Sequence, residues 1–336
     1  MVPMSVHSED REGLKVTIVP FDVRSPITAD TLARLDGRPE VIQFSSALST
    51  ADYALLGEWF ADHPTKTLRA YGSYDGTITD LEFLRHFPTL RSFQADALDG
   101  SLSNIDGLTY LPADVQSIGL GRTKKRLSLA PLARFTNLRR LYLEGQSQDI
   151  DVVSGLRQLR SLTLRSVTLP DLAMLKSFSN LRALALKLGG TNDLGRLPDL
   201  QSLEYVELWM VKGLTDLSPI AQLPRLEYLF LQALRRVESL PVMTGLVGLR
   251  RLWLETMKGL TDLRPIRQAP NLHQLAVVDM GHLQPEAFGP LAGHPTLTSL
   301  RAGLGSKRKN EAVDRLMQLP RGDEWPEADW RKPLDD

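Results

Sequence analysis

The chain has 336 residues, 40 Lys and Arg against 40 Asp and Glu, and no Cys. Apolar residues make up 42% of it, which excludes a disordered chain, and the missing Cys excludes disulfide scaffolds, thiolate metal sites and cysteine nucleophiles. Its zero net charge gives no general attraction to nucleic acid or to an anionic membrane, and no run approaches the ~18 apolar residues of a membrane span.

Residues 1–66 are predicted to form an N-terminal cap of short strands and helices. The alternation in Leu14–Val19 is typical of a strand, and Thr31–Leu35 is typical of a short helix. The apolar run Val41–Phe44 indicates either another strand or a degenerate first repeat. Ser49 is a suitable N-cap for an amphipathic helix that extends through Phe60.

Residues 67–305 carry a repeated phrase, Leu-x-x-Leu-x-Leu, in eleven copies that begin 21 to 25 residues apart. Such regular self-similarity is the signature of a repeat protein, in which each unit buries its apolar edge against its neighbours. The clearer copies begin at Leu138, Leu159, Leu181, Leu203, Leu226, Leu249 and Leu272, and the weaker ones at Leu68, Leu90, Val115 and Leu297.

Within one unit the apolar positions advance by two residues once and then by three. From Leu229 the next apolar positions are Leu231, Leu234 and Val237, and the step of three continues to the following phrase. A step of two indicates one short strand, whereas a step of three matches 3-10 turns better than the 3.6 period of an α-helix. The sequence therefore predicts an α/β solenoid with parallel strands on the concave side and tight turns on the convex side.

The units resemble the leucine-rich repeats of bacterial internalins, especially in the segments 214–229 and 260–266. The resemblance implies a leucine-rich-repeat horseshoe. It departs from the family at the position three residues after the last strand Leu, where internalins usually have Asn. That position is occupied here by Gln146, Val167, Gly189, Val211, Leu234, Met257 and Met280.

Residues 306–336 are predicted to form a C-terminal cap helix and tail. Asn310 is a candidate N-cap for a short helix that runs through Met317 and stops at Pro320. We expect Trp325 and Trp330 to fold back over this cap, since two Trp in a short tail require apolar surroundings.

No catalytic, cofactor or metal motif stands out. None of the six His has the spacing of a metal ligand, and no phosphate-binding Gly loop occurs. The basic clusters at 122–126 and 307–309 lack neighbouring aromatic residues, which favours solvated turns over nucleic-acid contacts. We therefore expect no catalytic residues, no cofactor, no metal site, no nucleic acid and no membrane association.

The concave face is the informative surface, because the third and fifth positions of each phrase point out across the sheet, and so does the residue directly after the phrase, which is counted as the seventh position. Five aromatic residues converge there on three adjacent units. The predicted partner-binding residues are Tyr205, Glu207, Trp209, Tyr228, Phe230, Arg251, Trp253, Glu255, Tyr142 and Arg165. Exposed aromatic clusters bordered by Arg are typical of protein interfaces. The alternative is that the rings only pack on one another as cross-strand neighbours.

These observations predict a non-catalytic, monomeric and cytoplasmic module that binds a partner protein or peptide on its concave face. A specific inhibitor or immunity protein of a toxin or enzyme is an alternative within this class. A secreted internalin-like adhesin is disfavoured by the absence of a secretory leader. An enzyme would have to use the charged set Glu144, Arg165, Lys187, Glu207 and Glu255, which looks like a rim rather than a catalytic base with its orienting partner.

Overall fold

The computed structural model describes residues 6–9, 15–18, 20–35 and 39–322. These residues fall into two compact units that divide between Arg160 and Ser161. In both units short parallel strands alternate with tight turns, mostly 3-10 segments. The predicted leucine-rich-repeat solenoid is therefore confirmed as the fold class.

The first unit contains an antiparallel strand pair and a parallel sheet of six strands in the order β3 to β8. The strands are β1 Val6–Glu9, β2 Lys15–Ile18, β3 Phe21–Asp22, β4 Val41–Phe44, β5 Thr67–Tyr71, β6 Ser92–Asp96, β7 Ser117–Leu120 and β8 Arg140–Glu144. The helices are α1 Ala29–Leu35 and α2 Thr50–Asp62, and the 3-10 segments are Glu82–His86, Asp106–Tyr110, Ala130–Arg134 and Ile150–Gly155.

The second unit contains a parallel sheet of seven strands in the order β9 to β15, followed by one helix. The strands are β9 Ser161–Arg165, β10 Ala183–Lys187, β11 Tyr205–Trp209, β12 Tyr228–Gln232, β13 Arg251–Glu255, β14 Gln274–Val278 and β15 Ser299–Ala302. The helix is α3 Lys307–Met317, and the 3-10 segments are Ala173–Ser177, Leu197–Asp199, Ser218–Gln222, Arg264–Gln268 and Pro285–Leu291.

The apolar step of three has a direct structural cause. In the turn after β11, the amide of Ile220 donates to the Leu217 carbonyl at 3.0 Å, and the amide of Leu223 donates to the Ile220 carbonyl at 3.1 Å. The same residues that make these i to i+3 bonds therefore also point into the core, with exposures of 2% or less. Pro219 lies at the start of this segment, where the backbone amide has no partner within the turn. The lack of an amide hydrogen on Pro therefore costs no hydrogen bond.

The strands alternate between core and surface as the phrase predicts. In β12, Leu229 and Leu231 are fully buried, whereas Tyr228, Phe230 and Gln232 are half-buried on the other side. Each buried Leu contributes about 1.5–3 kcal/mol of apolar transfer free energy. The ladders of inward apolar side chains, most of them Leu in the second unit, are thus the main source of stability in each unit.

Two of the side chains that stand at the position of the internalin Asn form hydrogen bonds with the backbone. The Gln146 side chain, only 2% exposed, accepts a bond from the Leu127 amide at 2.8 Å and donates to the Gly121 carbonyl at 3.0 Å and to the Thr123 hydroxyl at 2.8 Å. At the same position of a later coil, the thioether of Met280 accepts a bond from the Met257 amide at 3.0 Å. These two side chains therefore bond backbone as the Asn amide does.

A left-handed residue follows the strand in six consecutive coils of the second unit. They are Ser166, Leu188, Met210, Ala233, Thr256 and Asp279, with φ between 50° and 56°. This turn lets the residue's amide reach the last carbonyl of the next strand, as in the 2.8 Å bond from Met210 to Gln232. The hydrogen bonding between neighbouring strands thereby continues for one residue beyond the end of each strand. None of the six is Gly or Asn, and only Asp279 is of a type enriched in this conformation, so the sequence carries almost no signal for it.

Near the two ends of the repeats, one predicted helix cap is confirmed and two assignments are wrong. Ser49 is the N-cap of α2, since its hydroxyl accepts a bond from the Asp52 amide at 3.1 Å. Leu68, however, pairs with Phe93 within the strand, so it is the fourth and not the first position of its phrase. The prediction of Asn310 as a helix cap was wrong as well.

Ser306 is the N-cap of α3, because its hydroxyl accepts a bond from the Lys309 amide at 3.2 Å. Asn310 lies within the helix, and its side chain accepts a bond from the Leu304 amide. Trp325 and Trp330, which were predicted to fold back over the cap, lie outside the described residues.

Candidate functional site

The outward side chains of the second unit form three rows that run across the strands. The strand pairing places Tyr205, Tyr228 and Arg251 side by side in the row of third positions. Phe230 and Trp253 are neighbours in the row of fifth positions. The row of seventh positions contains Arg165, Lys187 and Trp209 in that order. Nine of the ten predicted partner-binding residues lie on this face, which we call the concave patch; the tenth, Tyr142, belongs to the first unit.

The five rings of the concave patch are half-buried and held by their neighbours. Phe230 and Trp253 stack with ring centroids 5.8 Å apart and planes inclined by 21°. The Arg251 guanidinium lies 5.0 Å from the centre of the Tyr228 ring, and Arg165 lies 5.4 Å from that of Trp209. The cross-strand packing that was the alternative interpretation is therefore present, and it gives the rings fixed positions.

The two carboxylates of the concave patch are bound by donors from the same surface. Glu207, only 7% exposed, accepts a 3.1 Å bond from the Tyr205 hydroxyl and forms a 2.7 Å ion pair with Lys187. Glu255 accepts a 2.9 Å bond from the Trp253 indole and a 2.6 Å bond from the Gln232 amide. Both side chains thus hold the aromatic residues and their neighbours in place.

Two basic residues of this face, Lys187 on β10 and Arg301 on β15, were absent from the predicted partner-binding set. The Arg301 guanidinium on β15 lies 5.9 Å from the centre of the Trp253 ring. The phrase that begins at Leu297 places Arg301 at its fifth position, so its outward direction was available from the sequence. It was overlooked because most of the aromatic residues lie three and four units earlier.

Tyr142 lies on β8 of the first unit, where its hydroxyl donates to Glu144 at 3.1 Å. The same unit has a polar network on the outward side of β4 to β6. Arg69 forms a two-pronged ion pair with Asp96 at 2.7 and 2.8 Å and donates to Gln43 at 2.9 Å. Burial lowers the pKa of this guanidinium, but the bond and charge of Asp96 more than compensate and hold the pKa above its ordinary value. Sequence reasoning missed this network because its members come from three different coils.

The most exposed aromatic side chain among the described residues is Tyr74, at 87%, and it was also missed. It lies in a short loop in which the Gly76 amide bonds the Ser73 carbonyl at 3.0 Å and the Thr77 hydroxyl bonds Asp75 at 2.8 Å. The bonds from Ser46 and Thr77 hold the pKa of Asp75 down, at about 2. A single exposed Tyr in a polar loop gives no periodic signal, which is why the repeat pattern did not reveal it.

A cavity of about 310 Å³ lies in the first unit beside α2. Tyr53, Asp80, Glu82, Arg85 and His86 are among the residues that line it. Glu82 and Arg85 form a 2.6 Å ion pair, and the Tyr53 hydroxyl accepts a bond from the Leu48 amide at 3.1 Å. Burial raises the pKa of Tyr53 to about 12. Three of these five side chains, Tyr53, Glu82 and Arg85, are thus already bonded to other groups of the chain.

The histidines and basic clusters have structural contacts. A ring nitrogen of His282 lies 2.8 Å from the Leu260 carbonyl, and Nδ1 of His294 accepts bonds from the amides of Thr296 and Leu297. Lys309 donates to the carbonyls of Gly281 and Leu283 at 2.8 and 3.0 Å, which ties α3 to the coil before it.

Among the described residues, no helix is both long enough and apolar enough to cross a bilayer. No group of three or more His, Asp or Glu in these residues is arranged to hold a metal ion.

Comparisons with known proteins give structural likeness only. No family model matches the chain, and the search of curated proteins gave no match. Internalin C2 of Listeria monocytogenes is 21% identical over 65% of this chain and 81% of its own, with a TM-score of 0.39. An internalin (inlF) of the same species is 18% identical over 72% and 83%, with a TM-score of 0.42.

A leucine-rich-repeat protein of Leptospira interrogans is 14% identical over 72% of this chain and 91% of its own, with a TM-score of 0.37. All three of these solved structures are of bacterial proteins.

Proposed function

We propose that this chain is a non-catalytic module that binds a partner protein or peptide on the concave patch. The observation that carries the proposal is the clustering of five aromatic rings on β11, β12 and β13, where large rings and Arg are concentrated on adjacent strands. Trp, Tyr and Arg dominate the binding energy of protein interfaces, and they act best in the centre of a fixed surface. Aromatic residues are sparser on the outward side of the neighbouring strands β9, β10, β14 and β15.

The rigidity of the concave patch supports binding with little loss of conformational entropy. The stacked pair Phe230 and Trp253 and the bond from Trp253 to Glu255 already fix the rings in the unbound chain. An immobilised side chain that is ordered before binding avoids a cost of about 0.5–1.5 kcal/mol on association. A preformed surface of this kind suits a partner with a complementary apolar protrusion.

The charged groups of the concave patch support a binding role rather than a catalytic one. A catalytic base requires a carboxylate that faces the substrate and is oriented by a second group. Glu207 is instead paired with Lys187, and Glu255 is bound by Gln232 and Trp253. Each of these carboxylates serves to position its neighbours.

The test combines partner identification with substitutions of two rings. The tagged chain is used to retrieve a partner from native lysate, and the purified partner is then titrated against Tyr228→Ala and Trp253→Ala. We expect each substitution to weaken binding by about 2 kcal/mol, or about 30-fold, because each removes a ring from the centre of the surface. Circular dichroism melting of each variant checks that the fold is retained.

Tyr74→Ala is the matched control, since it removes a far more exposed ring and lies outside the concave patch. It should leave the affinity unchanged. Full affinity in both Tyr228→Ala and Trp253→Ala, or a loss in Tyr74→Ala alone, would reject the concave patch as the binding site.

We further propose that residues 67–305 form the binding module and that 1–66 and 306–336 cap it. Parallel pairing of β4 with β5 and the bonds from Lys309 support attachment of both terminal segments to the repeats. We also propose a cytoplasmic location, which the cysteine-free sequence supports. The monomeric state is tested by light scattering during gel filtration, where a dimer mass would contradict it.

A further inference from the structure

We infer that one edge of the sheet in the second unit binds an acidic helix of a partner protein. The edge lies where the chain leaves β11, β12 and β13, and its exposed basic residues are Lys212, Arg235 and Lys258. It is separate from the concave patch, so this inference does not rest on the proposed function. It adds a second interaction surface that takes a different kind of segment.

The three basic residues occupy the same position in three consecutive coils. Strand pairing places Trp209 beside Gln232 and Gln232 beside Glu255, and each of these residues lies three positions before a basic residue. The amides of Met210 and Ala233 continue the pairing beyond the strands with bonds of 2.8 and 2.9 Å. Because neighbouring strands lie about 4.8 Å apart, the basic residues follow one another at about this spacing.

Helix α3 supplies a fourth cation to this series. The same position of the next coil is Gly281, which has no side chain of its own. The Lys309 ammonium lies there instead, since it donates to the Gly281 carbonyl at 2.8 Å and to the Leu283 carbonyl at 3.0 Å. Neither acceptor carries a full charge, so these bonds fix the ammonium without neutralising it. We call the following four residues the basic column: Lys212, Arg235, Lys258 and Lys309.

The carboxylates of the same coils do not neutralise the basic column. Within the part of the chain that the structure describes, the ion pairs of the second unit involve other cations. Asp216 and Asp262 accept bonds from amides of their own turns. Glu238 and Asp279 are exposed on these coils, as is the further cation Arg236. The edge therefore has an excess of positive charge, although the whole chain has none.

This arrangement is unfavourable for the unbound chain, because like charges on facing positions of neighbouring strands repel one another. The other coils show that the repeats do not require a cation here. Thr168, Gly190 and Gly281 occupy the same position on the coils of β9, β10 and β14. Carboxylates of a partner would offset the repulsion within the basic column, which gives these charges a role in binding.

The spacing of the basic column favours a helix over an extended segment. Its three steps of about 4.8 Å give a length of about 14 Å. Carboxylates placed once per helical turn repeat at about 5.4 Å, or about 16 Å over three steps. In an extended segment the side chains of one face repeat at about 6.6 Å, or about 20 Å over three steps. Flexible Lys and Arg side chains can absorb the mismatch of about 2 Å with the helix.

A phosphate backbone is another polyanion that can lie along four cations. It carries charge without interruption, and part of that charge would lie beside the exposed Glu238 and Asp279. A helix can present carboxylates on one face and neutral side chains towards these acids. The basic column therefore favours an acidic helix, and nucleic acid becomes an outcome of the test.

The experiment measures the binding of a fluorescent helical peptide to the full chain by anisotropy at 25 mM NaCl. The probe is a stapled 16-residue Ala-rich helix with Glu once per turn on one face. Its isomer has the same residues, with the four Glu distributed around the helix. We expect the one-faced probe to bind about tenfold more tightly than the isomer, and this advantage to shrink at 300 mM NaCl because salt screens exposed charges. Equal affinity of the two peptides, or no binding of either at 1 mM, would overturn the inference.

Charge variants then locate the contact. Lys212→Gln/Arg235→Gln/Lys258→Gln should bind the one-faced probe about tenfold more weakly than the wild type does. The matched control Lys176→Gln/Arg196→Gln/Arg225→Gln removes the same charge from exposed positions elsewhere in the second unit and should bind like the wild type. Circular dichroism melting checks that both triple variants retain the fold. Equal affinity of the two triple variants would overturn the inference.

Two further measurements separate this edge from other sites and ligands. Tyr228→Ala/Trp253→Ala should bind the one-faced probe like the wild type, because both rings belong to the concave patch. Loss of the probe in this variant would assign the helix to the concave patch and overturn the inference. A labelled 12-nucleotide oligo(dT) strand that binds more tightly than the probe, and is lost in the Lys212→Gln/Arg235→Gln/Lys258→Gln variant, would overturn it as well.

Discussion

Replacement of Gln146 by Leu tests how the repeats hold together without a regular Asn ladder. Leu is the residue that an all-apolar interior would favour at this buried position. The substitution removes the acceptor of the Leu127 amide at 2.8 Å and the donor to the Gly121 carbonyl at 3.0 Å. Leu127 is itself only 8% exposed, so its amide loses a partner in a place that water reaches poorly.

The expected loss is about 2–3 kcal/mol. A buried backbone donor without a partner costs about 1–3 kcal/mol, and the Gly121 carbonyl adds a similar but smaller amount. Apolar burial of the new Leu offsets about 1 kcal/mol of the sum. Met280→Leu is the matched control, because it removes only a weak sulfur acceptor at nearly constant volume and should cost about 1 kcal/mol.

Hydrogen exchange measured by mass spectrometry is the appropriate assay, since repeat proteins open locally and need not unfold in one step. In Gln146→Leu the Leu127 amide should exchange about 30-fold faster or more, as a loss of about 2 kcal/mol requires. Gln146→Asn, which keeps the amide on a shorter side chain, should exchange at an intermediate rate. Unchanged exchange at Leu127, together with a loss of stability below about 0.5 kcal/mol, would refute the role of Gln146 as a substitute for the ladder Asn.

Two further predictions concern the second unit. Met210 has a φ of 50° and is 38% exposed, so Met210→Asn should be more stable than Met210→Val by about 1 kcal/mol in urea titrations, because Asn tolerates the left-handed conformation that a β-branched residue resists. Equal stability of these two variants would show that the left-handed conformation at position 210 costs a β-branched residue nothing. Burial lowers the pKa of His294, and Arg267 lowers it further. The fold therefore prefers the neutral ring, whose contribution is complete above the ordinary pKa near 6.5 and is lost as the pH falls below it. His294→Gln should accordingly lose less melting temperature than the wild type between pH 7.5 and pH 5, and an identical loss would show that His294 does not contribute.

The architecture was predictable because the periodic signal is strong and local. The step of three predicted 3-10 segments such as Ser218–Gln222, and the structure confirms them with i to i+3 bonds. The register failed at Leu68, where Thr65 stands at the first position of the phrase and no apolar residue marks it. The cap of α3 failed for a similar reason, since Ser306 and Asn310 are both good N-cap types and only the backbone distinguishes them.

The concave patch was predictable as a surface but not as a set of contacts. Alternation in the strands fixes which side chains point outward, so Trp253 and Arg251 could be placed from the phrase alone. The stacking of Phe230 on Trp253 and the pairing of Lys187 with Glu207 depend on side-chain rotamers across different coils. Left-handed residues such as Leu188 have no compositional signal at all, because the ladder bond to Trp209, rather than the residue type, selects the conformation.

Hydroxyl-radical footprinting with the identified partner tests the central claim most directly, because it reports the exposure of each ring. We predict that partner addition lowers the oxidation rates of Trp209, Tyr228 and Trp253 several-fold, while the rates of Tyr74 and Tyr110 stay the same. Protection of Tyr74 or Tyr110 with unchanged oxidation of the three patch residues would contradict the account and would move the binding surface away from the concave patch.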